Sequence, residues 1–259
     1  MPGEAAGGAE NESGAAYAVL PDPPDPPDPP DPPGKGVRVL ARLLPETVVV
    51  GEAFGDPAEP VVLFPEEEAH VARAVPVRRR EFGTVRALAR TALARLGGPR
   101  VPMLPGERGA PSWPDGFVGS LTHCRGYRGA AVARAAEIAS VGIDAEPNEP
   151  LPDPGILDMI SLPQERPRLA ELAAARPDVS WERLLFSAKE SVYKTWFPLT
   201  RRWLGFEEAE LDLRPDGTFT ARLLVAGPVV DDVRVDAFSG RWLTHEGLVL
   251  TAIALPRAG

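Results

Sequence analysis

The chain contains one cysteine, Cys124, in 259 residues. An intrachain disulfide is therefore impossible, and a zinc site built from cysteines is excluded. Aromatic residues make up 7% of the sequence, and there are 3 methionines and 3 histidines. Basic residues are outnumbered, with 28 Lys and Arg against 37 Asp and Glu, for a net charge of −9. Proteins that coat a nucleic-acid backbone are usually basic, so that class of function loses ground. No apolar run approaches the roughly 20 residues that a membrane helix needs. The opening MPGEAAGGAENESG is acidic and glycine-rich, without the basic start and apolar stretch of a secretory signal. These absences predict a soluble, cytoplasmic protein that binds neither nucleic acid nor membrane.

An apolar fraction of 44% and a charged fraction of 25% are ordinary for a globular protein. The length allows one large domain or two smaller ones. Residues 1–36 carry a repeated Pro-Pro-Asp unit and are expected to be a disordered, extended arm, since proline blocks helix and sheet and the aspartates resist collapse. Order is expected from Val37. Val37 to Leu40 and Thr47 to Val50 read as short strands. Glu66 to Ala74 reads as a helix, and Arg78 to Leu96 as a longer one, with Phe82, Val85, Leu88, Ala89, Ala92, Leu93 and Leu96 at helical spacing. Gly97-Gly98-Pro99 stops it, and residues 99–116 read as loop.

Val118 to Ser120, Gly129 to Arg134 and Ile138 to Ile143 read as strands. A second proline-rich break covers Pro147 to Pro154. Helices are expected at Gly155 to Ile160, Arg166 to Ala175, and Ser180 to Phe197, the last with Ser180 as N-cap and Pro198 as stop. Glu208 to Leu213, Thr218 to Val225 and Leu248 to Leu255 read as strands, with Asp216-Gly217 as a hairpin turn and a further strand at Val233 to Phe238. Each half supplies strands and one long helix. The expected organisation is an arm at 1–36, an N-terminal subdomain at 37–142 and a C-terminal subdomain at 143–259, both α+β, with a ligand crevice between them.

Three segments carry candidate chemistry. In Val141-Gly142-Ile143-Asp144-Ala145-Glu146, the two carboxylates are two residues apart, so extended backbone puts both on one face. Adjacent carboxylates repel unless a cation lies between them, and oxygen-only ligands suit Mg²⁺. Alone, the pair also fits a solvated strand end. In Phe186-Ser187-Ala188-Lys189-Glu190-Ser191-Val192-Tyr193-Lys194-Thr195-Trp196, Glu190 and Lys194 share a helix face. Such a pair is common on surfaces, but the aromatic residues around it argue for a buried helix. A third carboxylate from Glu190 and a cation from Lys194 would equip the site for phosphoryl transfer. In Ser120-Leu121-Thr122-His123-Cys124, the imidazole and hydroxyls are candidate phosphate donors. Cys124 reads as a small buried residue rather than a nucleophile. Arg73, Arg78, Arg79, Arg80, Arg86, Arg90, Arg95 and Arg100 crowd one region, as either a solvated helix face or an anion site.

Together these segments resemble the 4′-phosphopantetheinyl transferases of the surfactin and enterobactin synthetase type. The resemblance rests on the W-P-x-G-x-x-G-S-x-T-H-C pattern ending at Cys124, G-I-D-A-E-P at 142–147, and F-S-A-K-E-x-x-Y-K-x-W at 186–196. R-R-E-F-x-x-x-R at 79–86 and R-W-L-G-F at 202–206 add to it. It implies an α/β protein of two similar, pseudo-twofold subdomains with coenzyme A between them. Asp144, Glu146 and Glu190 match the Mg²⁺ ligands. Arg78 and Arg86 match residues that hold the nucleotide and its 3′-phosphate, and Arg108 lies in a loop that adds a basic contact. Thr122 and His123 match a phosphate-contacting pair, Lys194 a lysine at the pyrophosphate, and Leu204 a coenzyme A contact. The implied reaction moves phosphopantetheine from coenzyme A to a serine of an acyl or peptidyl carrier protein, with Glu190 and Lys194 as catalytic groups and a monomer sufficient. The carrier is expected to dock on Leu157 to Trp181 or on the exposed side of the Ser180 to Phe197 helix. A Mg²⁺-dependent hydrolase of coenzyme A, or a binding module without catalysis, are the other readings.

Overall fold

The computed structural model describes residues 39–258. The arm expected at 1–36, with Val37 and Arg38, lies outside the described residues. Val39 and Leu40 do not begin a strand. Leu40–Leu43 forms a 3-10 turn, and Val39, Leu40 and Leu43 are buried beneath Val48, Val50 and Leu250. A short apolar run satisfies burial in either conformation, and here the Leu40 amide donates to Glu52 Oε2.

Strand β1 (Val48–Ala53) leads through a loop to helices α1 (Pro65–Val71) and α2 (Pro76–Arg95). Strands β2 (Phe117–Cys124) and β3 (Tyr127–Arg134) form a hairpin, and the order β1-β3-β2 makes an antiparallel three-stranded sheet. α2 packs Leu88, Ala89, Ala92 and Leu93 on Ala130 and Val132 of this sheet. β4 (Ile138–Pro147) then enters a second sheet.

Helices α3 (Pro154–Ile160), α4 (Glu165–Ala175) and α5 (Trp181–Thr200) follow. The remaining strands are β5 (Ala209–Leu213), β6 (Thr218–Leu223), β7 (Val229–Val230), β8 (Val233–Arg234), β9 (Ala237–His245) and β10 (Leu248–Pro256). The second sheet has the order β4-β10-β9-β6-β5, with antiparallel neighbours throughout. α5 buries Leu184, Leu185, Ala188, Val192 and Trp196 against it. Pro198 does not stop this helix, which runs to Thr200 and ends at Arg201 with φ 55°. Near a helix end the missing proline N–H removes a single bond, and burial of Trp196 and Phe197 holds the turn.

The smaller sheet meets the larger one through side chains. Ile143 N donates to Ser120 Oγ and Ala145 N to Thr122 Oγ1, both at 3.1 Å. Hydroxyls of β2 thus satisfy amides on the outer edge of β4, as a buried edge requires. Gly142 lets α5 approach this strand closely, since a Cβ there would lie 2.1 Å from Ser191 O. Each half also contains one buried acidic staple. Glu67 accepts from the amides of Phe64 and Met103 and from Arg90. Glu165 accepts from the amides of Leu162 and Leu211 and from Lys189, which is 3.0 Å away. Among the described residues no helix is long and apolar enough to cross a membrane.

Candidate active site

β4 delivers Asp144 and Glu146 to one face, where α5 brings Glu190 and Lys194. Lys194 Nζ donates to Asp144 Oδ1 at 2.7 Å and to Ile143 O at 3.1 Å. Its ion pair crosses to the strand instead of closing with Glu190 on its own helix. Thr122 Oγ1 donates to the same carboxylate oxygen at 3.3 Å. Asp144 is 5% exposed, yet its Oδ2 is buried without a hydrogen-bond partner. An unmatched buried carboxylate oxygen is costly, and it marks where a cation gains most.

The neighbouring acids report the same field. Burial first, and then the charge of Asp144, push Glu146 up to about 7, with Glu190 adding to the rise and Arg183 opposing it. Burial and Asp144 also raise Glu190, while Lys194 pulls it down. Burial, then Glu146 and Asp144, push the Cys124 thiol up to about 12. Three carboxylates therefore feel one another across a strand and a helix. Among the described residues, no group of three or more His, Cys, Asp or Glu side chains lies close enough together to hold a metal ion.

The predicted basic residues are placed unevenly. Arg78 is half exposed and contacts His123 Nε2, with Glu81 3.5 Å away. His123 is held neutral, its pKa pulled down to about 4 by burial first and by the Arg78 charge second. Arg86 is buried; its Nε donates to Met103 O at 3.2 Å and its guanidinium lies 3.7 Å from the Phe82 ring centroid. Arg108, at φ 52°, reaches over the exposed ring of Trp203 at 5.4 Å, and that ring packs on Tyr193. The Leu204 side chain sits in the core with Trp196, so only its backbone can meet a ligand. Sequence reasoning missed Arg183, which donates to Glu146 Oε2 at 3.3 Å and to the carbonyls of Glu149 and Pro150. Its position seven residues before Glu190, two turns along α5, was the available signal.

Comparison with known proteins identifies the family. Residues 66–133 match the model of the 4′-phosphopantetheinyl transferase N-terminal domain, and residues 140–249 that of the 4′-phosphopantetheinyl transferase superfamily. The chain is 67% identical over 220 residues to the 4′-phosphopantetheinyl transferase Svp of Streptomyces mobaraensis, covering 84% of this chain and 89% of the relative. It is 49% identical over 226 residues to the 4′-phosphopantetheinyl transferase PptT of Mycobacterium tuberculosis, covering 84% and 98%. It is 48% identical over 225 residues to the 4′-phosphopantetheinyl transferase Npt of Nocardia iowensis, covering 83% and 99%. With residues 66–133 and 140–249 matched and relatives covered over most of their length, the chain belongs to the 4′-phosphopantetheinyl transferase superfamily.

Proposed function

We propose that this protein transfers the 4′-phosphopantetheine group of coenzyme A to a serine of apo acyl or peptidyl carrier proteins, releasing 3′,5′-ADP. Family membership and the names of the relatives support the reaction. The observation that carries the site is Asp144, with one oxygen on Lys194 and the other buried and unmatched beside Glu146 and Glu190. Those three acids would hold Mg²⁺, which when bound supplies Lewis-acid stabilisation of charge on the pyrophosphate.

The residues of the chain account for the rest. The serine hydroxyl attacks the β-phosphorus, forming a new P–O bond as the bond to 3′,5′-ADP breaks. Glu190, made more basic by its burial, takes the hydroxyl proton directly or through a water. Lys194 offsets charge on the departing oxygens. Arg78 and His123 bind the nucleotide phosphate, Arg86 adds positive field from beneath, and Thr122 fixes Asp144. Arg108 and the Leu204 backbone line the far side. The two staples built on Glu67 and Glu165 support two related subdomains, 37–142 and 143–259, in the surfactin-type arrangement where a monomer suffices. A groove of about 540 Å³ lined by Leu157, Ala170, Ala173 and Val179, with Arg166, Asp178 and Glu182 at its polar positions, is the proposed seat for the carrier.

The test is to weigh an apo carrier after incubation with the protein, coenzyme A and Mg²⁺. Addition of one phosphopantetheine is expected, and none with Asp144→Ala. Release of 3′,5′-ADP without carrier at the same rate would assign hydrolysis instead.

A further inference from the structure

Glu81 joins the exposed anion-binding groups to a buried anchor. Its Oε1 lies 3.4 Å from Arg128 Nη2, and its Oε2 lies 3.5 Å from Arg78 Nη1 and 3.6 Å from His123 Nε2. Arg128 is fixed from three elements. Its Nε and Nη2 donate to Asp56 Oδ1 and Oδ2 at 3.0 and 2.8 Å, and its Nη1 donates to the carbonyls of Tyr127 and Cys124. Thr84 of α2 donates to the same Asp56 at 2.8 Å. Side-chain exposure rises outward, from 5% at Arg128 through 19% at Glu81 to 37% at His123 and 49% at Arg78. The rigid end is therefore inside, and the two outer groups are the ones that can meet a ligand.

The alternation of β2 separates this position from the acids. Thr122 turns toward Asp144 on β4, so His123 projects from the opposite face, toward α2. An anion held by Arg78 and His123 is thus a second phosphate position, distinct from one at Lys194. Glu81 is the carboxylate that opposes the cationic field of Arg78, Lys194 and Arg128 at the His123 ring. Its contacts to Arg78 and His123 are long, 3.5 and 3.6 Å, so both groups keep capacity for a phosphate while Glu81 orients them. Arg128 behind it offsets the carboxylate charge that would repel that phosphate.

We propose that Glu81 is a positioning residue that aims Arg78 and His123 at the 3′-phosphate of coenzyme A and thereby sets the preference for coenzyme A over dephospho-coenzyme A. The inference rests on the donor-site reading given above. The experiment compares kcat and KM for both donors, at saturating carrier, in the wild type, Glu81→Gln, Glu81→Asp, Arg78→Gln and the Glu81→Gln/Arg78→Gln double variant. The wild type is expected to favour coenzyme A at least about tenfold, the worth of one charge-assisted hydrogen bond. Glu81→Gln should lower that ratio several-fold through the KM for coenzyme A, with kcat within about twofold. Glu81→Asp, one methylene too short to reach both sides, should give an intermediate ratio. In the Arg78→Gln background, adding Glu81→Gln should change KM by less than about twofold. An unchanged ratio in both Glu81 variants, or an equal loss of kcat with both donors, would overturn the inference. A wild type that transfers from neither donor would overturn the site reading beneath it.

Discussion

Lys194 occupies a demanding position, because its ammonium is, among the described residues, the only hydrogen-bonding cation on an aspartate that is almost wholly buried. Removing it leaves that carboxylate unpaired. Lys194→Met is expected to cost about 2–3 kcal/mol of stability in urea denaturation and about 10²–10³-fold in kcat. Asp144→Asn in the same background should restore the stability and none of the activity. If the double variant were as unstable as Lys194→Met, the cost would lie in packing rather than charge. Cys124 provides a second measurement of the local field. Burial first, and then the carboxylates of Glu146 and Asp144, push its pKa up to about 12, so its thiolate is scarce at pH 8. Alkylation by iodoacetamide should run at least about 100-fold slower than for an unperturbed thiol. Cys124→Ala should transfer phosphopantetheine normally. A fast-reacting Cys124 would contradict both the burial of the thiol and the carboxylate field around it.

The register between β4 and α5 sets the distance between Asp144 and Lys194, and Gly142 sets how closely those elements approach. A Cβ at 142 would meet Ser191 O at 2.1 Å and Thr195 Oγ1 at 2.3 Å, both on the helix face that carries Lys194. Gly142→Ala is expected to destabilise by about 2–3 kcal/mol and to lower kcat as the strand and helix separate. Unchanged kcat in the folded variant would show that the pair tolerates displacement. This element pair was visible in the sequence: α2 and α5 have strong helical periodicity, and the Asp144, Glu146, Glu190 and Lys194 spacing puts the groups on shared faces. Other elements were hidden for physical reasons. β9 is broken in pattern by Gly240, which is glycine because Phe219 fills its inner side; a Cβ would lie 2.1 Å from that ring. β2 runs four residues beyond Ser120 because β3 pairs with it through Cys124, a pairing that local composition does not encode. Pro198 reads as a stop, but tertiary packing extends the helix past it. Glu81 and Arg128 meet through a partner far along the chain, so no local spacing reveals them, and Arg183 is signalled only by its place two turns before Glu190.

Across the whole molecule, a net charge of −9 coexists with two opposed local fields. The larger sheet and α5 gather carboxylates that resist ionisation, while α2 and the edge of β2 present Arg78 and His123. A donor carrying both a pyrophosphate and a separate phosphate can bridge these fields once a divalent cation settles among the acids. The two sheets meet where Ser120 and Thr122 close the edge of β4, so both fields are built on one junction. The second family match, residues 140–249, spans the acids and Lys194, and the first, residues 66–133, spans Arg78 and His123. The most direct measurement is calorimetric titration of Mg²⁺ into the coenzyme A complexes of the wild type, Asp144→Asn and Glu190→Gln. The account predicts saturable binding of about one ion by the wild type and at least about tenfold weaker binding by each variant. Equal affinity in all three proteins would contradict it.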